Sequence, residues 1–342
     1  MYKLVSSIVF SIVFSIATLI LGSASLISCS KKQKTSPKKS PSKISTSLKN
    51  KISFPISYHK HQVVKVGEGR SKHTVGGLSG LTYDKNLTRL FAVSDDKLEH
   101  GPYRIHPFHL NDDFSVTPLE EILLEKERPK HFKKMELDLE AIDINQSFFY
   151  LSSEGTRPDT RNVLLQFSRM GKFMKAIYMP ENFRQGDTTG TRNNKGIEGL
   201  SIIPGNDTEF FTAIEHPLLQ DQKDYNIEDS ASLRISKIKA HRTKNPEFLY
   251  IMKPAIAPKA ITGEVKFSHK ALVSLQAIDE YRFLSTEVTF FLYPGIAHDR
   301  IEIFLNDIRG AEDVSSTSSL RSSKELPSAV KKTLLFDSEK VH

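Results

Sequence analysis

Asn193-Asn194-Lys195-Gly196-Ile197-Glu198-Gly199-Leu200-Ser201-Ile202 places a glutamate inside an otherwise apolar strand pattern, just after a glycine. A carboxylate buried there is costly unless it is paired or binds a metal. The pattern returns in Leu137-Asp138-Leu139-Glu140-Ala141-Ile142-Asp143. It returns again in Gly77-Leu78-Ser79-Gly80-Leu81-Thr82-Tyr83-Asp84, with Gly80 at the position of the acid, and more weakly in Lys270-Ala271-Leu272-Val273-Ser274-Leu275-Gln276-Ala277.

A second strand follows each copy and ends on an acid. Leu90-Phe91-Ala92-Val93-Ser94 leads to Asp95 and Asp96, and Phe148-Phe149-Tyr150-Leu151-Ser152-Ser153 leads to Glu154. Phe210-Phe211-Thr212-Ala213-Ile214 leads to Glu215, and Arg282-Phe283-Leu284-Ser285-Thr286 leads to Glu287. Units a few strands long at a near-constant period mark a propeller or solenoid. Alternating, strongly β-prone segments favour the propeller. The expected fold is therefore all-β, a β-propeller with six blades within a range of five to seven, formed by residues 52–342. Lys332-Thr333-Leu334-Leu335-Phe336-Asp337 is expected to close the ring beside an N-terminal strand, and the serine-rich residues 311–323 to form a surface loop.

The start of the chain has a different character. Residues 1–28 carry Lys3, a long apolar run over 4–21 and no acid, the pattern of a secretory signal. Leu26-Ile27-Ser28-Cys29 resembles a bacterial lipobox, which makes Cys29 the expected lipidation site; the competing reading is an uncleaved transmembrane anchor. Both readings export the rest of the chain and tether it to a membrane, and Ser30 after the cysteine favours the outer membrane. Residues 29–51 form a Lys/Ser/Pro tether too poor in apolar side chains to fold. Lys3 and eight lysines of that tether account for the net charge of +8, leaving 39 basic against 40 acidic residues elsewhere. A near-neutral domain does not carry the basic footprint of a nucleic-acid binder, and a monomer is expected.

Acids at equivalent points of successive innermost strands converge on the channel of a propeller. Glu140 and Glu198 are the clearest pair, and Asp95, Asp96, Glu154, Glu215 and Glu287 are expected to gather at one face. So many carboxylates cannot all ionise within a few ångströms without cations. Either they pair with Arg or Lys from neighbouring blades, or they hold a hard ion, Ca²⁺ before Mg²⁺ or Mn²⁺. Histidine spacing of the zinc type is absent. Arg157, Arg161, Arg192 and Lys195 flank the acids and suit an anionic ligand, while His216 and His298 are candidate acids or bases. Ser153 and Ser201 adjoin acids, but no Gly-x-Ser-x-Gly elbow is present. Residues 180–195 form a long loop leading straight into the Glu198 strand.

In order and spacing, Gly77-Leu78-Ser79-Gly80-Leu81, Phe91-Ala92-Val93-Ser94-Asp95-Asp96, Asp138-Leu139-Glu140-Ala141-Ile142, Ser153-Glu154-Gly155, Asn194-Lys195-Gly196-Ile197-Glu198-Gly199-Leu200 and Glu215-His216-Pro217-Leu218 resemble the phytase-like domain described as having esterase-like activity of phytase. The resemblance covers roughly residues 62–338. It implies a propeller related to the calcium-dependent alkaline phytases and metal-dependent hydrolysis of phosphate esters. Val288 follows Glu287 where that family leads one to expect arginine, and Ala141 follows Glu140 where glycine is usual. The expected function is an exported, lipid-anchored phosphoric-ester hydrolase acting on a small anionic substrate. Ca²⁺ would be held by Glu140, Glu154, Glu198 and Glu215, with Glu198 and Glu140 catalytic and Arg157 or Lys195 offsetting phosphoryl charge. Two alternatives stay open: a non-catalytic surface scaffold with structural calcium, and a lactonase-like carboxylic esterase.

Overall fold

The computed structural model describes residues 75–125, 136–154, 162–242, 244–258, 264–322 and 325–340, with the single positions 56, 62, 64 and 73. The expected signal, lipobox cysteine Cys29 and tether lie outside the described residues, as do Arg157 and Arg161.

Four antiparallel sheets follow one another along the chain in a β-propeller arrangement. The first comprises β1 (Leu78–Asp84), β2 (Arg89–Ser94) and β3 (Arg104–Leu110), edged by the short β4 (Val116–Pro118) and β5 (Ile122–Leu123). The second runs β6 (Leu139–Ile144), β7 (Phe148–Ser153), β8 (Val163–Ser168) and β9 (Phe173–Tyr178). The third runs β10 (Ile197–Ile203), β11 (Asn206–Ile214), β12 (Ala231–Lys239) and β13 (Glu247–Met252). The fourth has β14 (Phe267–Ala277), β15 (Arg282–Tyr293), β16 (Ile296–Asp307) and β17 (Lys331–Asp337). The innermost strands β1, β6, β10 and β14 pack side by side in that order.

The second strands are apolar on both faces because each is sandwiched between neighbouring sheets. An aromatic pair fills each of the three interfaces. Phe91 meets Phe149 at 5.2 Å between ring centroids, Tyr150 meets Phe210 at 4.9 Å, and Phe211 meets Phe283 at 5.1 Å. Consecutive aromatics such as Phe149-Tyr150 and Phe210-Phe211 point to opposite faces of their strand, so each pair of residues serves two interfaces. The outer strands β9 and β17 are only half-buried.

The described residues contain four sheets of the expected propeller. Two expectations change. β17 pairs with β16 and completes its own sheet, so among the described residues it closes nothing against an N-terminal strand. The described part of the serine-rich segment, 311–322, is docked on the third sheet. Val314 and Leu320 are buried against Leu249, and buried Arg234 donates to the carbonyls of Val314 and Thr317. The same guanidinium is neutralised by Asp221 at 2.7 Å and Glu247 at 2.8 Å.

A belt of side-chain hydrogen bonds ties the four innermost strands together at one end of the channel. Thr82 of β1 donates to Asp143 Oδ1 of β6 at 3.0 Å, and Ser201 of β10 donates to Asp143 Oδ2 at 2.9 Å. Ser201 Oγ accepts in turn from Gln276 Nε2 and the Ala277 N–H of β14, both at 3.0 Å. The backbone N–H groups of Ile144 and Ile202 complete the Asp143 shell at 2.8 and 2.7 Å. An asparagine there turns an NH₂ group toward donors on one side. Asp143→Asn is therefore expected to lower unfolding free energy by about 2–3 kcal/mol, measurable by denaturant titration.

Candidate metal and active site

All four innermost strands break register at the same point. The breaks lie between Leu78 and Leu81, Leu139 and Ile142, Ile197 and Gly199, and Leu272 and Ser274. A bulge bends its strand and re-aims the side chain it carries. The bulged positions hold Ser79-Gly80, Glu140-Ala141, Glu198 and Val273, so the two glutamates of the repeat reach the axis from adjacent sheets. Gly80 cannot be replaced by an acid without rearrangement. A Cβ there would lie 2.7 Å from the Glu140 carbonyl oxygen and the Ala141 Cα. Ser79 instead donates a hydrogen bond to Glu140 Oε2 across the β1–β6 interface.

The second strands deliver the remaining acids one residue beyond the partner of the bulge. Asp95 follows Ser94, Glu154 follows Ser153, and Glu215 follows Ile214. In the fourth sheet the partner of Leu272 is Glu287 itself, so the equivalent position is Val288. One residue of offset turns a strand side chain to the opposite face. Glu287 accordingly faces Lys270 at 3.2 Å, Lys332 and the Tyr250 hydroxyl at 2.7 Å, and the structure does not bring it to the other acids. Asp96 also stands aside, paired with buried Arg104 at 2.5 Å.

Sequence reasoning missed four members of the site. Asp138 occupies the place where the other copies have Gly77 and Gly196, which was a readable signal. Its carboxylate, with those of Glu140 and Glu154, offers oxygens within 4.8 Å of one another, all three side chains buried. Lys97 reaches Asp138 Oδ2 at 2.7 Å and Asn194 Oδ1 at 2.8 Å from a left-handed turn directly after Asp95-Asp96. His269 contacts Glu215 at 2.8 Å from a position on β14 upstream of its bulge, with no local signal in the sequence. Ser79 is the fourth.

The loop over 180–195 places Lys195. Its short 3₁₀ turn Glu181–Phe183 buries Phe183, and Asn162 Nδ2 donates to Thr191 Oγ1 at 2.9 Å. Gly190 is required at φ +84, where a Cβ would sit 1.7 Å from the Arg184 carbonyl. Lys195 then bonds Glu215 at 3.0 Å. Gly196 lets the backbone close on Glu154, to which its N–H donates. Arg192 is occupied with the Gln222 carbonyl.

Electrostatics set the character of the site. Burial, then the charges of Glu198, Glu154 and Asp138, push Glu140 well above the ordinary carboxylate range. Glu198 is raised likewise by burial, Glu215 and Glu154. Burial raises Glu154 to about 8, against the opposing Gly196 N–H, and raises Asp95 to about 6 together with Asp138. Burial alone would raise Glu215 too, but the His269 hydrogen bond and the Lys195 charge outweigh it and hold Glu215 low. His216 is driven down to about 4 by burial, so its ring is neutral. Ser201 is no nucleophile, since its proton is committed to Asp143.

Asp95, Glu198, Glu215 and His269 line a cavity of about 240 Å³ whose other wall is apolar, with Leu78, Leu81 and Leu275. Among the described residues Glu198 makes no hydrogen bond and no contact ion pair, and the charge of Lys195 only partly offsets the acids around it. The opposite mouth is a wider hollow of about 620 Å³, but its Asp143 is fully engaged in the belt. The buried, clustered carboxylate oxygens of Asp138, Glu140 and Glu154 fit a hard divalent cation in chemistry.

The family described as Phytase-like, esterase-like activity of phytase, matches residues 73–342. No curated protein matches the chain. Among solved structures, the periplasmic gluconolactonase PpgL of Pseudomonas aeruginosa is similar at 9% identity and a TM-score of 0.32, covering 77% of this chain and 90% of that one.

Proposed function

The chain belongs to the phytase-like family, and from that premise we propose that it is a calcium-dependent phosphoric-ester hydrolase. The observation that carries the reading is Glu198, a glutamate with no hydrogen bond or contact ion pair among the described residues, facing a cavity beside a buried three-carboxylate group. Asp138, Glu140 and Glu154 would hold the calcium ion, with Ser79 fixing the Glu140 carboxylate. Bound there, calcium would supply a hard, doubly charged centre able to polarise a phosphoryl oxygen. Lys195, half-exposed at the rim, attracts the anionic ester and balances charge on the transferring group. Glu198 is the proton carrier: burial and the charges of Glu215 and Glu154 raise its carboxyl, so it can give a proton to the departing alkoxide oxygen as a water attacks phosphorus from the opposite side, and the water's proton restores it. The apolar wall at Leu78, Leu81 and Leu275 seats the ester's organic group.

The domain is further proposed to work outside the cytoplasm, held to a membrane through lipidated Cys29. The apolar run over 4–21 and the Leu26-Ile27-Ser28-Cys29 sequence support this. No helix among the described residues is long and apolar enough to cross a membrane.

The test is hydrolysis by the detergent-solubilised full chain, read as phosphate release from phosphomonoesters and as alcohol release from phosphodiesters, with calcium and with a chelator. Calcium-dependent turnover that the chelator stops is the expected result. Failure across the phosphoester panel rejects the proposal, and turnover of lactones or carboxylic esters instead would assign the alternative ester chemistry.

A further inference from the structure

A second group of metal-ligating side chains adjoins the carboxylates and differs from them in kind. One ligand atom each from Glu215, His216 and His269 lie within 4.8 Å of one another. His216 directly follows Glu215 at the end of β11, whereas His269 comes from β14 of the next sheet. The absence of zinc-type spacing in the sequence therefore did not report on their proximity. The two imidazole rings stand 4.9 Å apart between centroids. Tyr225 packs edge-on against His216 at 4.9 Å and is pinned by its hydroxyl's 3.2 Å hydrogen bond to the Lys270 carbonyl. Phe267 stacks on His269 with 10° between the ring planes. Both rings are thus held from outside the group.

The decisive atom is His216 Nε2. It is buried and has no hydrogen-bond partner, an arrangement that needs an explanation in a native fold. Within the same group, His269 Nε2 already stands 2.8 Å from Glu215 Oε1. Ligands about 2.0–2.1 Å from a tetrahedral zinc lie roughly 3.4 Å from one another, so modest side-chain rotation closes the set. Two imidazoles and one carboxylate suit a borderline transition ion, whereas calcium prefers oxygen alone.

We propose that Glu215, His216 and His269 form a second metal site, selective for zinc or a like transition ion, whose open coordination position faces the 240 Å³ cavity. On binding, His269 takes the Nδ1–H tautomer and offers Nε2. Lys195, now 3.0 Å from Glu215, withdraws toward solvent, which its half-exposed side chain permits. Lys195 and the metal therefore compete for one carboxylate. The inference rests on these three residues and stands or falls apart from the phosphoester reading.

The test loads the metal-free full chain with Co²⁺ in saturating calcium, so that the all-oxygen group is occupied, and then titrates zinc. One equivalent of Co²⁺ with intense visible d–d bands, displaced by zinc, is expected. His216→Ala and His269→Ala should each abolish the bands and weaken zinc binding at least about 100-fold, and Lys195→Met should tighten it about tenfold. The proposal is overturned if the wild-type chain shows no such bands, or if they survive in both histidine variants. Should a histidine variant fail to fold, Lys195→Met decides: tighter zinc binding supports the site, and unchanged or weaker binding refutes it.

Discussion

Glu198→Gln is expected to cut calcium-dependent phosphoester turnover by about 10²–10³-fold while leaving the metal-free protein at least as stable. Nothing in the fold leans on this carboxylate, since no described residue bonds it. Its surroundings are hostile to charge, for burial, Glu215 and Glu154 all raise it. Glutamine keeps the shape, removes the like-charge repulsion felt by Glu140, and cannot carry a proton. Calcium affinity should change little, because Asp138, Glu140 and Glu154 remain. Activity and metal-free melting of the same preparation are the two measurements. A fall in melting temperature with turnover per folded molecule intact would instead make Glu198 structural and favour the scaffold reading.

The second large effect is an inverted pH dependence of stability without divalent ions. A carboxylate raised in the folded state contributes stability in full below its unfolded value, here near 4.5, and loses it as pH climbs through the folded value. Glu154, raised to about 8, sets the window, with Glu140 and Glu198 adding in the same direction. Chelated protein should therefore melt at progressively lower temperature between about pH 4.5 and pH 8. The cumulative loss is on the order of a few kcal/mol. Calcium reverses the trend, because the ion binds the ionised carboxylates that repel one another in its absence. Melting curves with and without calcium across that range check both halves. Parallel curves that do not diverge with rising pH would mean that the buried acids are neutralised by Lys97 and Lys195 alone.

Much of this layout was readable in the chain. Glutamates repeated inside apolar strands announced both the propeller and its axis, because strands rarely tolerate a buried charge without a function or a partner. Paired aromatics such as Phe210-Phe211 marked strands buried on both faces. What stayed hidden depended on register and on distance in the sequence. Glu287 looked like the fourth member of a series until the pairing of Leu272 showed it one residue short, hence on the other face. His269 and Glu215 are 54 residues apart and meet only because neighbouring sheets pack. Asp138 was visible as an acid in a glycine's place, but the repeat alone does not say whether such an exception matters. The serine-rich segment misled through composition: Ser315, Ser316 and Ser318 are exposed while Val314 and Leu320 anchor it.

The belt through Thr82, Asp143, Ser201 and Gln276 also governs how the molecule comes apart. Stacked-repeat arrays can be trimmed unit by unit, since each unit answers only to its neighbours. Here loss of the last sheet would strip Ser201 of two donors and loosen its grip on Asp143, which in turn steadies the first sheet through Thr82. Truncated forms should be poor folders, and the native ring should melt as one cooperative unit.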